Sequence, residues 1–165
     1  MATVTELHKK LKKATEKRIK DKVAEFIVID SNLRKEKKQE FKQGDNPDGS
    51  AIGQYKNKDY QSMKMRMNPL AGGDVDLILT GKFSNQMFVK SLGNSRFIFK
   101  SKDKKEDMLK EKYGEQIMGL NEETFLDAQY KRYVPKLVKY IKQITGLKWA
   151  TYNYIRLKQG FFLRY

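Results

Sequence analysis

The chain has 165 residues, 39% of them hydrophobic and 33% charged, and a net charge of +15 from 35 Lys and Arg against 20 Asp and Glu. That length suits one compact domain, nine Phe and nine Tyr argue against a disordered chain, and the positive field favours phosphates, anionic membranes or acidic protein faces. The absence of cysteine excludes disulfides, thiolate metal sites and thiol nucleophiles, and suits assembly in a reducing cytosol.

Thr3 and Glu6 have capping-box spacing, and Leu7, Leu11, Ala14, Ile19, Val23, Phe26 and Ile27 recur at steps that put them on one helix face. The spacing predicts one long helix over residues 4–28 whose other face carries Lys9, Lys10, Lys12, Lys13, Lys17, Arg18, Lys20 and Lys22. With no apolar block of signal-peptide or membrane-span length, the sequence predicts a soluble product. Asp30-Ser31-Asn32 breaks or recaps the helix, and Leu33 to Phe41 continues as a weaker helix anchored by those two apolar residues alone.

Gly44-Asp45-Asn46-Pro47-Asp48-Gly49-Ser50 is a surface loop by composition, and Ile52 to Tyr60 has no periodicity. Met63, Met65 and Met67 alternate with Lys64 and Arg66, which predicts a strand ended by Asn68-Pro69. A second strand is expected at Val75 to Thr80, and a hairpin at Phe88 to Leu92 and Ser95 to Lys100 around Gly93-Asn94. Asp103 to Tyr113 reads as a helix with Asp103 at its N-cap and Gly114 past its end. Asn121 caps another, Val134-Pro135 interrupts or kinks it, and Leu137, Val138, Ile141 and Ile144 carry an apolar stripe to Thr145-Gly146.

Residues 147–165 hold Trp149, Tyr152, Tyr154, Phe161, Phe162 and Tyr165 with four basic residues and no acidic one. This change of composition marks a C-terminal arm beyond a single domain of residues 1–146. Six aromatics bring large contact area at little entropy cost, which favours an arm that docks on a neighbouring subunit over a strand folded back on its own domain.

Catalytic chemistry is not expected. His8 is the only histidine and lies among exposed lysines, so neither a zinc set nor a triad can be assembled. Asp74 and Asp76 would share a strand face, a pairing open to a hard cation, but two carboxylates are a thin ligand set, and a polar strand edge is the simpler reading. The glycines from Gly44 to Gly53 lack both the Lys-Ser/Thr ending of a P-loop and a strand-to-helix context, so no cofactor is implied.

Three segments in order carry a resemblance: Gly44 to Tyr55, a glycine-rich loop ending in Gly53-Gln54-Tyr55; Val75 to Phe83, ending in Thr80-Gly81-Lys82-Phe83; and Tyr113-Gly114 followed by Gly119-Leu120. Together they resemble small neck or tail-completion proteins of tailed bacteriophages, in particular those of phages and prophages of Bacteroidetes, including the crAss-like group. The resemblance spans residues 25–146 and leaves the tail outside it.

It implies an α+β domain in which an antiparallel sheet packs on a long helix, and a homo-oligomeric ring that joins portal to tail in the virion; no membrane partner is expected, since no apolar stretch reaches span length. By the same resemblance Thr80, Gly81 and Phe83 fix a central turn, and Tyr113, Gly114, Gly119 and Leu120 order a loop that meets a neighbour. The basic first helix and aromatic arm depart from the family pattern; the positive face is placed to contact genomic DNA in a channel. The alternative is a basic nucleic-acid-binding protein, with phosphates on lysine and bases on the arm's aromatics.

Overall fold

The computed structural model describes residues 4–78, 80–93 and 96–146. It is an α+β protein: helices α1 (Val4–Leu11), α2 (Glu16–Ile29), α3 (Ser31–Gln43), α4 (Lys58–Met67) and α5 (Lys82–Asn85), strands β1 (Met87–Gly93) and β2 (Arg96–Ser101), then α6 (Glu106–Tyr113), α7 (Glu122–Ala128) and α8 (Val134–Thr145). The strands form a two-stranded antiparallel sheet where the hairpin is expected, while its Asn94 turn residue lies outside the described residues.

The expected single first helix is two helices. The chain leaves α1 through i→i−3 bonds from Lys13 N to the Lys10 carbonyl and from Ala14 N to the Leu11 carbonyl. Thr15 then restarts it, its hydroxyl accepting from Arg18 N at 3.3 Å and its carbonyl from Ile19 N at 3.1 Å. A hydroxyl that satisfies an orphan amide makes a local helix start compete with continuation.

Two compact units divide the chain. In the first, formed from described residues in 4–29, 91–97 and 127–146, α2 buries Ile19, Val23, Phe26 and Ile27 and packs on α8 and the turn before it. That turn, Gln129–Tyr133, is π-helical and stands immediately before Val134-Pro135, so the chain meets the missing proline amide with a widened turn rather than a stop. Leu137 and Ile141 are buried on α8, and Gly146 closes it in the left-handed conformation.

The second unit comprises Asp30–Lys90 and Ile98–Leu126. Asp30 caps α3, accepting from Asn32 N at 2.9 Å. Leu33 and Phe41 are fully buried as expected, but Lys37 and Glu40 lie on the same face and are buried with them as an ion pair at 2.8 Å. Burial pushes the Lys37 ammonium below its ordinary value, against the opposing pull of Glu40. Phe41 meets Phe83 at 5.8 Å between ring centroids, and Met87, Val89 and Phe99 of the hairpin are also buried in this unit.

Two expected strands of this unit are not strands. Met63, Met65 and Met67 lie on α4, started by Asn57, whose side chain accepts from Tyr60 N at 2.9 Å. The helix turns polar residues inward: Lys64 is buried, flanked by Gln61 and Asn68 on the same face, so alternation of methionines carried no information about a sheet. Residues 74–78 form only an isolated bridge between Asp74 and Gln54, because side chains take the place of a neighbouring strand. Tyr55 meets the backbone of Asp76 on both its amide and carbonyl, and Lys64 donates to the Ile78 carbonyl at 3.1 Å.

Candidate functional site

Within the second unit, a cleft of about 1010 Å³ collects residues from segments far apart in sequence. Its floor is apolar, made by the buried Ile52, Val75, Leu77 and Phe83. Tyr55 and Tyr60 form one wall, edge to face at 5.1 Å, and Met108, Leu109 and Tyr113 of α6 also line it. Lys56, Lys82, Lys105 and Lys112 are exposed residues of the lining.

Two of the lining residues, Tyr55 and Asp76, belong to a buried polar network. Lys64 and Asp76, with side-chain exposures of 2% and 1%, form an ion pair in direct contact. The second carboxylate oxygen of Asp76 accepts from Asn68 Nδ2 at 2.7 Å, and the same Asn68 amide donates to the Lys42 carbonyl at 2.7 Å, tying α4 to the end of α3. The Tyr55 hydroxyl accepts from Asp76 N at 3.2 Å, and the Asp76 carbonyl (3.2 Å) and carboxylate (3.3 Å) both stand as its acceptors. Burial, and then the neighbouring carboxylate, push the Tyr55 hydroxyl above its ordinary value, so it stays protonated and fixed. Asp76 is therefore a hub that locks the cleft wall rather than an exposed ligand on a strand edge.

The cleft brings together Gly53, Tyr55, Thr80, Gly81, Phe83 and Tyr113. Gly81 and Gly114 have φ of 70° and 91°, which accounts for glycine at each. Gly114, Gly119 and Leu120 do not line the cleft. Leu120 is buried, and Gly119 lies so close to Pro47 that an added Cβ would be 3.0 Å from its ring. The next residue continues this tether, Asn121 donating from its side chain to the Pro47 carbonyl at 2.9 Å and from its backbone to Glu40 at 3.0 Å. The 113–121 stretch thus holds the 44–50 loop within its own unit.

Trp149, Tyr152, Tyr154, Phe161, Phe162 and Tyr165 lie outside the described residues. The residues that sequence reasoning missed are the four cleft lysines with Tyr60 and Met108. They come from separate segments with no common spacing, and no local pattern marks them. Asp103 is not the N-cap of α6; its carboxylate accepts from Lys105 N at 3.0 Å, closing a turn ahead of a helix that starts at Glu106.

Among the described residues no cluster of three or more potential metal ligands occurs, and no helix is long and apolar enough to cross a membrane. The basic charge is unevenly divided: the described sequence of the first unit with residues 94 and 95 holds fourteen Lys and Arg against five Asp and Glu, whereas the second holds seventeen against fifteen. No protein-family model, curated protein or solved structure matches the chain.

Proposed function

We propose that the chain is a non-enzymatic structural subunit of a tailed bacteriophage, forming a homo-oligomeric ring in the head–tail connector or tail that joins portal and tail components and helps enclose the DNA channel. The observation that carries this reading is convergence: residues of all three segments of the resemblance, Gly53 and Tyr55, Thr80, Gly81 and Phe83, and Tyr113, line one cleft. A lining in which apolar and aromatic side chains stand with four exposed lysines and a few polar residues suits docking between proteins. The aromatic arm, residues 147–165, supplies anchors for a neighbour.

Cross-linking mass spectrometry on purified virions of the phage that encodes the chain tests the reading. Links from Lys148 or Lys158 to portal or tail proteins are expected; absence of the chain from virions overturns it.

The second reading, a basic nucleic-acid-binding protein, is favoured by the concentration of charge in the first unit, where Lys9, Lys12, Lys13 and Lys17 are exposed with no ion-pair partner among the described residues. Duplex binding through six or more phosphate contacts would weaken about a thousandfold between about 50 and 200 mM salt, because released counterions drive it. A salt-insensitive closed oligomer without DNA affinity argues for the ring.

A further inference from the structure

The lining of the cleft combines buried apolar side chains with four exposed lysines, and its carboxylates are already engaged. Asp76 is neutralised by Lys64, and Asp103 accepts from the Lys105 amide. The cleft therefore presents net positive charge around a surface that gains by excluding water. A second apolar feature continues from it. Tyr60, which lines the cleft, begins a stripe on α4 that runs through Met63 to Met67, all exposed and at helical spacing, and the exposed Leu70 follows on the short turn beyond the helix. From Tyr60 to Met67 it extends about 10 Å along the helix. An amphipathic helix normally turns such a stripe to the core; here Lys64 occupies the core side and the methionines face out.

We propose that this cleft and the adjoining α4 stripe are the docking site for an extended acidic peptide segment of a partner protein, with apolar side chains seated on the floor and carboxylates paired to Lys56, Lys82, Lys105 and Lys112. The inference deepens the assembly reading and rests on it for the source of the partner. Charge complementarity selects the occupant. The chain's own C-terminal residues 147–165 carry four basic residues and no acidic one, so a second copy's arm would bring like charge to the lysine rim. Base stacking would be confined to Tyr60 and Tyr113, since Tyr55 is held through its hydroxyl, Phe83 is buried and the other apolar floor residues are aliphatic. A single small anion would leave the methionine stripe unused.

The test pans a library of random displayed dodecapeptides on the full-length chain, then measures a synthesised, fluorescein-labelled selectant by anisotropy. Selected sequences are expected to combine Asp or Glu with Leu, Met, Phe or Trp. K82E/K112E, which alters exposed side chains only, is expected to weaken the selectant about tenfold or more, and K139E/K142E on α8 to leave it unchanged. The inference is overturned if no acidic apolar consensus emerges, if K82E/K112E binds the selectant as well as the parent does, or if labelled oligothymidylate binds the same lysines and is displaced by the peptide. Virion cross-linking reports separately: selectants that bind in this way from a chain absent from virions would leave the cleft assignment standing and remove the neck reading. The reverse result would do the opposite.

Discussion

Lys64 and Asp76, twelve positions apart, meet as a buried ion pair that joins the inward face of α4 to the floor of the cleft. Each is held further, Lys64 by the Ile78 carbonyl and Asp76 by Asn68 and Tyr55. Removing one partner strands the other charge away from water, and the lysine stem offers packing that methionine reproduces. K64M is therefore expected to cost about 3–5 kcal/mol by urea denaturation, and K64M/D76N less than the sum of its two single changes. Strict additivity would show that the pair is not coupled.

Glu106 stands between the end of β2 and α6. Burial alone would raise its carboxyl pKa, but hydrogen bonds from Lys110 and the Ser101 amide, with the charges of Lys110 and Lys100, hold it below the ordinary 4.5. The folded state then takes up this proton less readily than the unfolded chain, so the contribution is complete above pH 4.5 and is lost as pH falls through the lower folded value. The difference in urea midpoint between the parent and E106Q is expected to be largest near neutrality and to shrink in acid. A difference that stays constant through that range would contradict the assignment.

Asn121 does two jobs at the start of α7, accepting from Thr124 N at 3.2 Å and donating to the Pro47 carbonyl at 2.9 Å. N121A removes both and is expected to cost about 1–2 kcal/mol in chemical denaturation. N121S retains a capping oxygen and loses the tether, so it should fall between parent and N121A; hydrogen exchange in the 44–50 loop should rise in both variants.

Gly81 leads into α5 with φ of 70°, and the Asn85 side chain is the nearest group to an added Cβ, at 3.2 Å. Because that neighbour is the end of a side chain and needs to give by only a few tenths of an ångström, backbone strain should dominate: G81A is expected to destabilise by about 1–2 kcal/mol, and G81N by less, since asparagine tolerates the left-handed region. Equal losses for the two variants would place the cost in the contact instead.

Much of the local structure was legible in sequence. The hairpin followed from two β-prone runs about a glycine turn, the α3 start from Asp30, the α7 start from Asn121, and the surface loop from its turn-forming residues; each depends on neighbours within a few positions. The cleft was legible only as disconnected motifs, because Tyr55 and Tyr113 are placed by separate elements and the rim lysines share no spacing. Thr15 was a missed signal of the same local kind, a capping hydroxyl inside an apolar periodicity that otherwise argued for an unbroken helix.

By itself the sequence determined the α+β class, the turns and caps, the excess of positive charge and the lack of thiol chemistry. Only the tertiary structure decided that α4 would be a helix with its lysine inside and its methionines outside, and that residues 74–78 would be held by side chains instead of strands. Pattern reading takes apolar residues as the buried ones. Here a carboxylate twelve positions on, a tyrosine and an asparagine compensate the ammonium's loss of water, and that compensation exists only once the chain has folded.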